Sequence, residues 1–149
     1  AFYARNTPGH HLHHDVKDLD TPAALSYFIE RLLPDFVAWT RGWTERLHPT
    51  LGLVTRYEDL LRDTPGELDR VLRHYGVALS PERIAGIVER HAFKRATGRA
   101  PGQEDAKSFN RKGVSGDWVN HFTVDHKRAF KDVAGQTLID LGYATDLDW

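Results

Sequence analysis

The sequence predicts an α/β chain that is mostly helical, with one central strand. Three observations carry this expectation. Apolar residues recur at helical spacing in several stretches, as at Leu25, Phe28, Ile29, Leu32 and Leu33. Proline and glycine stand where helices start and stop, as in Thr64-Pro65-Gly66-Glu67 and then Gly76. One short run, residues 51–57 (LGLVTRY), reads as a buried strand from its length and its Val-Thr content.

In chain order, Thr21-Pro22 starts the first long helix, with the cap at Thr21 and the proline in the first turn. Pro34 breaks or restarts it. Phe36, Val37, Trp39, Trp43 and Leu47 continue the apolar face, and the Trp39–Trp43 pair at i, i+4 is expected in the core. After the strand, Glu58 and Asp59 cap the next helix. The run from Thr64 to Glu67 is a capping box, and Leu68, Val71, Leu72 and Tyr75 form its buried stripe. Ser80-Pro81 opens another helix with Ile84, Ile87 and Val88 inward, ending at His91-Ala92-Phe93-Lys94. Residues 95–108, with Gly98, Pro101 and Gly102, read as a loop. Thr123 caps a last helix over 124–141, with Phe130, Val133, Ala134, Leu138 and Leu141 on one side, and Gly142 ends it.

Composition narrows the function. The 149 residues suit one domain, and the net charge of −1 gives no global field toward nucleic acid or membrane. No apolar run is long enough to span a bilayer as a helix. Absent cysteines exclude disulfides and thiolate metal sites and fit a reducing, cytoplasmic compartment. With no initiating methionine, the chain is expected to be part of a longer protein.

Two stretches carry candidate chemistry. HHLHHD places His10 and His14 on one face if helical, which could hold zinc or nickel; a polar loop or helix end after Pro8-Gly9 is the favoured reading. Residues 109–123 (FNRKGVSGDWVNHFT) set Asn110, Arg111 and Lys112 directly before Gly113, with Gly116 following. Glycines allow backbone N–H groups to approach a ligand, Arg offers a planar fork suited to phosphate, and Lys adds a point charge. Alone, R-K-G is better read as a solvated basic turn between two helices.

The whole run resembles the 3′-phosphoadenosine 5′-phosphosulfate (PAPS) signature of the cytosolic-type sulfotransferases, R-K-G-x-x-G-D-W-K-x-x-F-T. Arg111, Lys112, Gly113, Gly116, Asp117, Trp118, Phe122 and Thr123 match, whereas Val119 stands where that family usually has Lys. The last helix and tail look especially like bacterial members. The resemblance implies the P-loop nucleotide-kinase-like sulfotransferase fold, of which residues 1–149 would be the C-terminal portion of a single domain. It implies that Arg111, Lys112 and Gly113 grip the nucleotide's 3′-phosphate, with Asn110 beside them. Tyr57, in a segment like the family's tyrosine-glutamate-aspartate, and Ala92 and Phe93, in one like its threonine-serine-phenylalanine, would lie by the adenine.

The implied cosubstrate is PAPS, its product PAP, and the acceptor a small hydroxyl or amine. No metal is implied. The catalytic histidine, the 5′-phosphosulfate loop and the second 3′-phosphate segment are expected upstream of Ala1, so Arg5 is not a candidate and this chain alone is expected to be inactive. His121 and His126 are expected to have surface roles. The family's dimer segment keeps Thr123 and Val124 but has Val119 and Arg128 at its charged positions, so no dimer is expected through residues 119–128. A non-catalytic helical binding module using the same basic turn is the alternative from a different class.

Overall fold

The computed structural model describes all residues 1–149 and contains no strand. Its α-helices are α1 (Phe2–Asn6), α2 (His13–Val16), α3 (Thr21–Arg31), α4 (Leu33–Thr44), α5 (Tyr57–Arg62), α6 (Thr64–His74), α7 (Pro81–His91), α8 (Phe93–Thr97) and α9 (Val124–Asp140), with a 3-10 turn at Asp117–Asn120. The chain divides into two compact units, one of Ala1–Arg46 with Asp117–Trp149 and one of Leu47–Gly116. No helix is long and apolar enough to cross a membrane.

In the first unit, α3, α4 and α9 pack on one another. The buried apolar residues are few, and three of them are alanines: Ala4, Val16, Ala24, Ile29 and Ala134. One histidine ties two of these helices together. His126 is 4% exposed, so the expected surface role is wrong. Its Nδ1 accepts the Thr123 backbone N–H at 3.1 Å, completing a capping box with the Thr123 hydroxyl. That leaves Nε2 carrying the proton, and it donates to the Pro22 carbonyl at 3.1 Å with the Ser26 hydroxyl also at 3.1 Å. The chain ahead of α3 enters through Asp20, whose side chain accepts from the Ala23 N–H. The cap is therefore Asp20 and not Thr21, with Pro22 in the first turn as expected.

Trp39 and Trp43 are 65% and 61% exposed, against the expectation of a core pair. Their rings meet edge to face, 6.3 Å apart. The apolar arc of α4 is wider than the part turned toward α3 and α9, so its outer residues stay in solvent.

In the second unit, α6 packs against α5 and α7, and α7 against α8. Ile84 of α7 is its buried apolar residue. The expected strand does not form. A strand needs a neighbouring extended segment to take its N–H and C=O groups, and this chain supplies none. Instead the N–H groups of Leu51 and Gly52 turn back onto the His48 carbonyl. Further on, the Val54 carbonyl accepts from Arg70 Nη2 at 3.0 Å, and the Thr55 hydroxyl donates to Glu67 at 2.6 Å.

Glu67 is thus committed to Thr55 and Arg70, not to a capping box. Asp63 caps α6 by accepting from the Gly66 N–H at 2.9 Å. Leu68, Val71 and Leu72 are half-buried, but Tyr75, expected in the same stripe, is exposed beyond the last turn. Gly76 ends α6 at φ +75, with the Val77 N–H bonding back to the Leu72 carbonyl.

Candidate phosphate-binding turn

The Leu47–Gly116 unit contains all of the sequence-predicted site residues. Ser80 caps α7 and Pro81 opens it; the helix ends at His91, and Ala92 bends the chain with ψ 143 so that α8 starts at once. The segment read as loop from residue 95 therefore begins as helix, through Thr97. Ala92 is exposed, and Phe93, first residue of α8, is half-buried. Gly98 closes α8 in the left-handed region at φ +72 and sends the chain back toward Phe93.

The basic turn lies on the Phe93 ring. Gly113 has φ +66, and a Cβ built there would sit 2.6–2.8 Å from three carbons of that ring. Only glycine meets both conditions. The turn is fixed from the other direction by two backbone bonds, Gly102 N–H to the Lys112 carbonyl at 2.8 Å and Asp105 N–H to the Arg111 carbonyl at 2.9 Å. The structure thus brings Phe93, Asn110, Arg111, Lys112 and Gly113 together. Tyr57 opens α5 with its ring half exposed, and no hydrogen bond or ring contact joins it to this group.

Both cations address one carboxylate. Arg111 Nη1 is 2.8 Å from Glu104 Oε1, and Lys112 Nζ is 4.0 Å from Glu104 Oε2. The two basic side chains are largely covered, at 21% and 23% exposure. An anion with several oxygens can take the place of that carboxylate, and a planar ring can stack against an aromatic beside it.

Sequence reasoning missed two residues of this arrangement, Glu104 and Arg99. The Arg99 guanidinium donates to the carbonyls of Gln103 (2.7 Å), Arg111 (2.8 Å) and Asn110 (2.6 Å) and lies 5.4 Å from the Phe93 ring centre. Both sit in a charged, glycine-containing stretch whose signal is that of an ordinary surface loop.

The second half of the signature belongs to the other unit and is described there. Trp118 packs edge to face with Phe122 and Trp149, with Lys127 Nζ 5.3 Å from its ring. Asp117 accepts from the Asn120 side chain and pairs with His121 Nε2 at 3.2 Å. In the histidine cluster, His10 and His11 stack on each other, and His10 Nδ1 accepts the Leu12 N–H. No three His, Cys, Asp or Glu side chains converge as a metal site, so the metal-binding alternative gains no support.

Residues 9–142 match the family described as "Sulfotransferase domain". Among curated relatives, sulfotransferase 2B1 of Mus musculus is 29% identical over 134 residues, covering 79% of this chain and 39% of that protein. Sulfotransferase 1C2 of Rattus norvegicus is 27% identical over 145 residues, covering 87% and 49%. The 3-alpha-hydroxysteroid sulfotransferase of Cavia porcellus is 29% identical over 129 residues, covering 76% and 45%. The chain spans less than half the length of these relatives. No solved structure matches at a significant level. The match over residues 9–142 shows that the chain belongs to the sulfotransferase domain family, whose fold is the P-loop-like sulfotransferase fold.

Proposed function

We propose that this chain carries part of the nucleotide site of an enzyme that moves a sulfuryl group from PAPS to a hydroxyl or amine of a small acceptor. Arg111 and Lys112, with the backbone at Gly113 and Asn110 beside them, hold the 3′-phosphate; Phe93 lies by the adenine, with Ala92 and Tyr57. The observation that carries this reading is the convergence of both cations on the Glu104 carboxylate, in a turn whose Gly113 rests on Phe93. An acidic group already stands where a phosphate would bind. The family match supports sulfuryl transfer, and the name of the Cavia porcellus relative supports a hydroxyl acceptor.

Sulfuryl transfer, like phosphoryl transfer, depends on in-line positioning and on charge stabilisation around the transferred group. This chain's share is positioning: it fixes the nucleotide by the end remote from the reacting sulfur. No general base and no 5′-phosphosulfate loop are assigned to the residues of this chain. The whole protein acts in the cytoplasm and does not dimerise through residues 119–128, where Arg128 pairs within its own helix with Asp125 at 3.4 Å. Replacing Arg111 by Ala in the complete protein removes charge-assisted bonds and weakens PAP binding by about 2–4 kcal/mol. Calorimetric titration reads this directly, and unchanged affinity would sink the assignment.

A further inference from the structure

We propose that Arg99 is a positioning residue, the brace that sets the shape of the basic turn. The inference rests on the reading that Arg111 and Lys112 hold a phosphate. Gly98 turns the chain out of α8 so that Arg99 lies under the turn, its backbone N–H held by the Thr97 hydroxyl at 3.1 Å. From there one guanidinium reaches three carbonyls: Gln103 and Arg111 through Nη1, and Asn110 through Nη2. Two of these belong to the peptides on either side of Arg111.

A trans peptide is planar, with its N–H opposed to its C=O. Holding the Asn110 and Arg111 carbonyls therefore fixes both planes and points the N–H groups of Arg111 and Lys112 away from Arg99. The Arg111 carbonyl takes two donors, Arg99 Nη1 and the Asp105 N–H, so both of its lone pairs are engaged. The partial negative charges of these carbonyls are turned onto a cation and away from an incoming anion. The same guanidinium lies by Phe93, so it links the ring to the turn that rests on it. Lysine cannot substitute: its single ammonium is a point charge without the planar fork that reaches carbonyls on two nitrogens.

The test compares the protein with its Arg99→Gln and Arg99→Lys variants by two readouts. One is PAP affinity by calorimetry; the other is exchange of the Gly102 and Asp105 amide protons by nuclear magnetic resonance without ligand. Both variants are expected to bind PAP about tenfold or more weakly, the scale of lost bonds to a charged donor. Both should exchange those two amides faster, while the amides of α6 keep their rates. Full rescue by lysine would overturn the brace in favour of a charge effect. PAP binding and amide exchange both unchanged in Arg99→Gln would overturn it outright and leave the phosphate reading standing. If the unmodified protein binds no PAP, the phosphate reading fails, and the amides decide the brace alone: faster exchange upholds it and unchanged exchange overturns it.

Discussion

Replacing Gly113 by alanine tests whether the basic turn rests on Phe93. Two separate costs arise there. A left-handed φ costs a non-glycine residue roughly 1–2 kcal/mol. The new Cβ would also stand 2.6, 2.7 and 2.8 Å from Phe93 Cδ2, Cε2 and Cγ. None of these atoms is the free end of a flexible side chain, so the ring must move as a body and disturb its contact with Arg99. Overpacking of this kind typically costs about 1–3 kcal/mol. Gly116 supplies the control, because it has φ +74 and nothing within 4 Å of a Cβ. Gly116→Ala therefore carries only the backbone cost. The expected losses are about 2–5 kcal/mol for Gly113→Ala and about 1–2 kcal/mol for Gly116→Ala. Trp39, Trp43, Trp118 and Trp149 all lie outside Leu47–Gly116, so native-state amide exchange in α6 and α7 is the suitable assay rather than tryptophan fluorescence. Equal losses for the two variants would refute the close approach of the turn to Phe93.

Three further outcomes are expected. Glu104→Gln removes the carboxylate that the phosphate must displace; since an ion pair that still reaches solvent contributes up to about 1 kcal/mol, PAP should bind about twofold to fivefold more tightly by calorimetry, and weaker binding would show that Glu104 supports the site. The Arg70 guanidinium first, and the Thr55 hydroxyl second, hold Glu67 down to about 2 from an ordinary 4.5. The stabilisation from Glu67 is therefore present above that ordinary value and fades as pH falls toward about 2, so the urea midpoints of the protein and of Glu67→Gln should converge on acidification; a constant gap would contradict the pairing. His126→Leu strands the Thr123 N–H and the Pro22 carbonyl and should cost about 2–3 kcal/mol in urea unfolding followed by tryptophan fluorescence, whereas a neutral substitution would remove the histidine from its place between α3 and α9.

Local chemistry was legible in the sequence. Ser80-Pro81, Thr123, Gly76 and Gly142 mark helix ends because caps, prolines and left-handed glycines act within one turn of themselves. The grouping of Arg111, Lys112 and Gly113 with Phe93 was legible only through the resemblance, since nothing in a lone phenylalanine after a helix points to a turn some twenty residues on. Residues 51–57 form no strand because strand content is a statement about neighbours, and the sequence carries the Val-Thr content without the partner. Asp20 and Asp63 show a related limit: each stands one residue before a Thr-Pro pair, and the structure uses the aspartate as cap, although the threonine fits the same pattern. The i, i+4 spacing of Trp39 and Trp43 puts both on one apolar face, but burial depends on which arc of α4 finds a partner. Arg99 and Glu104 could not be singled out, because their roles lie in carbonyls and cations that only the folded turn brings within reach.

The central claim is that the turn at Arg111, Lys112 and Gly113 recognises a 3′-phosphate. It is tested most directly by calorimetric titration of the protein with PAP and, separately, with adenosine 5′-phosphate, which lacks that group. The account predicts that PAP binds at least tenfold more tightly, the scale of charge-assisted bonds to one phosphate, and that Arg111→Ala abolishes most of the difference. Equal affinity for the two nucleotides would contradict it.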